Sequence, residues 1–364
     1  MDAALPFAVA TAMFAITMVF AGRMQDIFGP RRVAVSGGLI FGLGLALSSL
    51  TTTPWVMVLT FGVGVGAGIG LANAATTPAA VKWFPPSRKG LVSGVVVGGV
   101  GIAAIIMAPL SQALLDNTDI PTTFLTLGIG SAAAIILLAQ LLQNPPAGYR
   151  PAQTARTAHS PAAMTSHAPD VEWRDMLRTR RFYIIWVIYA LGTASGLMLI
   201  SNVAVIAHEQ AAWQSGFIAV MTLAVFNTIG RFGSGAISDR IGRSATMIIA
   251  LILQAINMLA FSYYTTPATL LAGCALVGIC YGSLFPLLPA ATADFYGLKN
   301  LGVNYGLVFT AFGVAGLSGS LLGGRVRDMF GSYSIAYIIC AGMLIVAAIL
   351  AFYIKPPKKE DSKQ

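Results

Sequence analysis

The 364 residues are 56% hydrophobic and only 10% charged, with a net charge of +9 and a mean hydropathy of +0.77. A soluble domain carries roughly 25% charged residues, so this chain cannot cover itself with polar side chains and its natural solvent is lipid. The positive charge is dispersed among loops rather than gathered on one patch, which argues against nucleic acid. Cys274, Cys280 and Cys340 lie inside apolar runs, without the pairing or spacing of a disulfide framework or a zinc site.

A bilayer-spanning helix needs ~20 mostly apolar residues. In chain order such runs fall near 3–21, 33–51, 55–81, 91–113 and 122–142, and then near 182–206, 213–234, 245–263, 268–291, 301–324 and 333–354. That predicts an all-α membrane protein with eleven spans. Residues 143–181 separate the two groups; they are rich in Ala, Pro, Thr and His and read as a linker that cannot bury a core. Its end carries Trp173, Met176 and Leu177 on one helical face among charges, which predicts a short amphipathic helix on the membrane surface. The expected organisation is a bundle over 1–142, a linker over 143–181, a second bundle over 182–354 and a tail over 355–364.

Basic residues set the orientation, because cytoplasmic loops retain Lys and Arg. Alternate loops hold Arg23, Arg31 and Arg32; Lys82, Arg88 and Lys89; the arginines of the linker; Arg240 and Arg243; Lys299; and the lysines of the tail. The exceptions are Arg325, Arg327 and Arg231. This places the C-terminus in the cytoplasm of a multi-pass protein in the cell (inner) membrane. It places Met1 outside, so either a first helix is missing or the protein has eleven spans.

A short pattern occurs twice. Gly22, Asp26, Gly29, Arg31 and Arg32 follow the first span, and Gly235, Asp239, Arg240, Gly242 and Arg243 follow the seventh. Two copies in register imply two homologous halves rocking about a central site. The glycines let helix ends approach, and each acid can face the positive end of a neighbouring helix while the arginines pair with it. The expected result is a conformational latch at the cytoplasmic rim, built from Gly22, Asp26, Arg31, Arg32, Gly235, Asp239, Arg240 and Arg243.

These residues resemble the loop signature of the major facilitator superfamily. Two further stretches, Lys82-Trp83-Phe84-Pro85 through Lys89-Gly90 and Ala293-Asp294-Phe295-Tyr296-Gly297 through Asn304-Tyr305-Gly306, are similar to the oxalate/formate antiporter and monocarboxylate transporter families. The resemblance implies two pseudo-symmetric six-helix bundles, with family helices 2–6 before the linker and 7–12 after it. It departs where oxalate carriers of that family place a lysine in the eleventh helix: residues 301–324 contain no Lys or Arg.

Arg231 is the residue to explain. It lies eight positions before Asp239 on one predicted helix, roughly 12 Å of rise from the rim. A charge in mid-membrane costs at least ~2.5 kcal/mol and normally marks a pathway or partner. A guanidinium fork suits a carboxylate; the alternative is snorkelling to the headgroups. Asn227, at i−4, shares its face, and Tyr281 and Asn73 offer polar groups at similar depth, either as substrate ligands or as interhelical hydrogen bonds. One intramembrane cation favours a lactate-like monocarboxylate over oxalate. Asp294, Glu209 and Asp116 fall at predicted helix ends, leaving no membrane-embedded acid for proton coupling. The reading is a monomeric, non-enzymatic carrier in the lipid bilayer. It takes a small organic anion, with a proton as the coupling ion, and needs no metal, cofactor or nucleic acid.

Overall fold

Lipid offers no partner for backbone N–H and C=O groups, and a helix satisfies them within its own segment. The structure, a computed structural model, describes residues 5–146, 149, 170–213 and 215–354. It is all-helical, with no strand among those residues. Before the break lie α1 (Leu5–Phe28), α2 (Pro30–Ser48), α3 (Pro54–Trp83), α4 (Lys89–Asn117) and α5 (Ile120–Ala139). After it come the short α6 (Trp173–Met176), then α7 (Arg180–Ala211), α8 (Gly216–Ile241) and α9 (Arg243–Phe261). The chain continues through α10 (Pro267–Tyr296), α11 (Leu301–Phe330) and α12 (Ser334–Phe352). Ten of these are long and apolar enough to cross a bilayer. α4, of 29 residues, contains the run expected at 91–113.

Helix boundaries follow local chemistry. Proline stands in the first turn of α2, α3, α5 and α10, where its missing N–H costs nothing. Thr266 and Thr269 close a capping box at the start of α10. The repeated motif turns the chain alike in both copies: Gly29 has φ 84° and Gly242 φ 95°, a region that L side chains avoid. Both motif copies lie at the same end of the bundle, with residues 170–179, and this end carries most of the basic residues among those described.

At that end the two groups of helices meet along two seams. α1 packs on α11, where a Cβ on Gly22 would run into the Gly302 carbonyl; α4 packs on α8, where a Cβ on Gly90 would run into Gly235. In α3, Gly62, Gly66 and Gly70 lie against α1, while Gly64 and Gly68 lie against α2, so one glycine-rich helix serves two close contacts. The stretch Val58–Val65 of α3 is π-helical. Phe7, Leu59, Leu137, Phe217 and Ile349 are exposed on the outside, as lipid-facing side chains should be.

Residues 1–4, the tail from 355 and most of the expected linker lie outside the described residues. The end of the linker departs from expectation. α6 is only four residues long, and Met176 is fully buried rather than resting on a membrane surface. The reason is a set of hydrogen bonds to the α10–α11 turn. Asp170 Oδ1 accepts from the N–H groups of Leu298 and Lys299, each at 3.0 Å, and the Val171 carbonyl accepts from the side-chain amides of Asn300 and Asn304. Unpaired backbone donors ahead of α11 hold this segment more firmly than an exposed apolar stripe would.

Candidate functional site

Arg231 on α8 is 7% exposed. Its Nε donates to Asn227 Oδ1 at 2.9 Å, one turn away, and its Nη1 donates to the Val97 carbonyl on α4, also at 2.9 Å. The guanidinium lies 4.3 Å above the Phe285 ring of α10, a contact worth ~0.5–2 kcal/mol. These partners fix the side chain without neutralising it. No carboxylate among the described residues pairs with Arg231, and its Nη2 makes no hydrogen bond to any of them. A guanidinium carries five donors, so most of its capacity is unused.

The Phe285 ring beneath this cation belongs to an aromatic cluster drawn from four helices. Tyr281 and Tyr189 stand edge-on to Phe285, with centroids 5.1 and 6.0 Å away. Phe309 of α11 packs beside Tyr305 at 5.7 Å and meets Phe14 of α1 at 5.1 Å. Tyr281, Tyr189 and Tyr305 all lie within electrostatic range of the guanidinium. Asn227 and Tyr281 therefore belong to one cluster with Arg231. Asn73 does not: its carbonyl accepts from Thr76, and no hydrogen bond or ring contact joins it to the cluster.

The rim at the basic end is a second, ion-paired assembly. Asp239 Oδ1 and Oδ2 accept from the backbone N–H groups of Gly90 and Leu91 at 3.0 and 2.8 Å, capping α4. Asp26 likewise accepts from Gly302 and Val303 at 3.3 and 3.1 Å, capping α11. An acid at a helix N-terminus meets both the free donors and the positive end of the dipole. Arg243 Nη1 reaches Asp239 at 2.6 Å and its Nε reaches Asp294 at 3.1 Å; Lys89 closes on the other oxygen of Asp294 at 3.0 Å. Lys82 lies 3.6 Å from Asp26.

This geometry corrects the expected pairing. Arg31 donates to Gln140 Oε1 rather than to Asp26, because Pro30 opens α2 and sends the arginine towards α5. Arg32 and Arg240 are exposed. Lys82 and Lys89 stand beside the acids instead, together with Arg243, which the expected latch already included. Asp294 lies in the last turn of α10, which runs on to Tyr296, and it is 3% exposed.

The sequence model of the Major Facilitator Superfamily matches residues 2–256 and 214–364. The chain belongs to the Major Facilitator Superfamily.

Among its curated relatives in that superfamily, the oxalate:formate antiporter of Oxalobacter formigenes is 26% identical over 343 residues, covering 92% of this chain and 78% of the relative. Monocarboxylate transporter 13 of Rattus norvegicus is 24% identical over 330 residues, covering 88% and 72%. Among solved structures, the human organic anion transporter MFSD10 superposes with a TM-score of 0.74 at 16% identity over 95% of this chain and 82% of that one. The fucose:proton symporter of E. coli gives 0.72 at 16% identity over 98% and 91%. The protein is thus a multi-pass membrane transporter with the superfamily's all-helical fold, and ten helices among its described residues are long and apolar enough to cross a bilayer.

Within this superfamily fold, sequence reasoning found Arg231 with Asn227 and Tyr281 and missed the other rings of the cluster. Phe285, Tyr189 and Tyr305 sit in apolar runs and look like ordinary helix filler. Lys89 and Asp294, 205 residues apart, read as a loop lysine and a helix-end acid with nothing to link them. Their shared signal was modest: each lies at the end of a span, beside a glycine-bearing motif.

Proposed function

We propose that this transporter carries a small monocarboxylate of the lactate type by alternating access, in symport with a proton. Arg231 supports the reading most: it is a buried cation with no acid partner among the described residues, fixed by neutral groups, with Nη2 unbonded. A carboxylate is the ligand that such a fork accepts best. One uncompensated positive charge matches one negative charge, and a proton travelling with the acid keeps each cycle electroneutral. Asn227 holds the guanidinium through Oδ1, which leaves its amide N–H groups for a second substrate oxygen. Tyr281 supplies a phenol beside them, and Asn73 is assigned to the opposite wall of the pathway.

In the same reading the basic end faces the cytoplasm of the cell membrane. Asp26 and Asp239, with Gly22, Gly235, Lys82, Lys89, Arg243 and Asp294, hold that end shut in this conformation, so substrate reaches Arg231 from outside. The two relatives above are named for small carboxylates, which is consistent with the cation's chemistry. Oxalate:formate exchange is the second reading, favoured by the likeness to the Oxalobacter formigenes antiporter. Against it, a dianion asks for a second cation, and residues 301–324 provide none.

Lactate uptake into proteoliposomes tests the proposal. Wild-type protein is expected to accumulate lactate under an inward proton gradient and to stop when a protonophore is added. Arg231→Ala removes a charge-assisted pair worth ~2–5 kcal/mol, so uptake should fall roughly 30-fold or more. Equal uptake by Arg231→Ala and wild type would remove Arg231 from this role, and oxalate counterflow without lactate uptake would favour the exchanger.

A further inference from the structure

Arg31 and Arg32 are cations that the ion-paired rim does not use. Four residues after Asp239 stands Arg243, which turns inward to the acids; four residues after Asp26 stands Pro30, so the arginines of the first copy come later. Arg31 gives Nε and Nη2 to the neutral Oε1 of Gln140, just past α5, and Arg32 makes no hydrogen bond or ion pair with any described residue. Both line a cavity of about 940 Å³ between the start of α2 and the end of α5, and no described acid lines it with them. Gly29 gives α2 no side-chain cap, so the free N–H groups of its first turn add to the positive field there. Below the cavity the two helices close, with Ile135 against Gly38 and Ala132 against Gly42. The face of α2 that carries Arg32 and Ser36 continues through Leu39, Leu43 and Leu47, which are 50, 60 and 51% exposed. Beside the cavity, Trp83 donates its indole N–H to the Gln143 carbonyl at 2.8 Å, and its ring lies 5.2 Å from that of Tyr149. Such aromatic residues sit at headgroup depth, so two unneutralised cations lie at that depth directly above an apolar stripe. In the second half the corresponding place is closed, because Ser244 at the start of α9 donates to the Ile354 carbonyl just after α12 at 2.7 Å.

We propose that the α2–α5 cleft binds an anionic phospholipid, whose phosphodiester pairs with Arg31 and Arg32 while an acyl chain lies along Leu39, Leu43 and Leu47. A planar guanidinium fork matches two phosphate oxygens. Arg31 keeps Nη1 for them, and Arg32 keeps its whole fork. A zwitterionic headgroup brings its own cation against the arginines, so the cleft favours phosphatidylglycerol over phosphatidylcholine. Basic pockets between membrane helices recognise anionic headgroups in this way.

Native mass spectrometry of the delipidated full chain in detergent tests this, with phosphatidylglycerol and phosphatidylcholine of the same acyl chains added in equal amounts. Wild-type protein should retain phosphatidylglycerol with roughly tenfold or more preference. Arg32→Gln should cut that preference about threefold or more, and the Arg31→Gln, Arg32→Gln double variant should abolish it. Arg32 touches no described residue, so its single variant keeps the test decisive even where the double variant fails to fold. The Arg174→Gln, Arg178→Gln double variant removes two exposed arginines at the same end and should keep the wild-type preference. Phosphatidylglycerol should also raise the unfolding temperature of wild type and of this control, but not of the Arg31, Arg32 double variant. The proposal is overturned if wild type shows no preference, if Arg32→Gln retains all of it, or if the control loses as much as the cleft variants. Displacement of the lipid by millimolar inorganic phosphate overturns it too, assigning the arginines to a free anion instead.

Discussion

Asp294 shows how much a single side chain can hold at the rim. Its carboxylate lies between Lys89 and Arg243, with all three side chains at most 8% exposed. Removing one member of a buried ion-paired set costs ~3–5 kcal/mol, because the remaining charges lose their counter-ion. Asp294→Asn should therefore lower the unfolding temperature in detergent by many degrees, while Asp175→Asn, an exposed partner of Arg178, should leave it unchanged. Differential scanning fluorimetry checks both. At this scale the sequence revealed charges by their isolation. Arg231 stood out because its surroundings are apolar over many residues. Asp294 did not, since its partners come from distant parts of the chain and its own helix extends beyond the apolar run. The tyrosines were least legible, because an aromatic residue in a membrane helix looks the same whether it faces a ligand, a neighbour or lipid.

At the scale of elements, the seams α1–α11 and α4–α8 depend on backbones that touch. Adding a side chain at Gly22 or Gly235 would force the paired helices apart, since the first atoms met are backbone carbonyls that cannot rotate away. Gly22→Val should slow transport at least tenfold while leaving the protein assembled, because helices held apart cannot restore the closed rim. Lactate uptake into proteoliposomes reads the rate, and gel filtration in detergent reads whether the variant stays assembled. The repeat made these seams readable: glycine four residues before an acid recurs in both halves, and both copies turn at a glycine with positive φ. The π-helical stretch in α3 and the docking of Asp170 were not readable. One is a local change in hydrogen bonding within a single helix, and the other depends on donors exposed by a turn more than a hundred residues away.

For the whole molecule, hydropathy makes the long helices legible in the sequence, because their length follows from the bilayer rather than from packing, and the alternation of basic loops carries the expected orientation. The topology is checked with reporters: a C-terminal green fluorescent protein should fluoresce, and alkaline phosphatase fused at the same point should be inactive. A different consequence follows from where the rim's charges lie. Ions in bulk water weaken attractions between exposed groups over ~8 Å at physiological strength but reach buried pairs poorly. Asp239, Asp294, Lys89 and Arg243 are all buried, so raising potassium chloride tenfold should leave the turnover rate nearly constant. A gate held by surface charges would loosen in brine; one sealed beneath its own helices lets the carrier keep its pace as the cell's osmotic surroundings change.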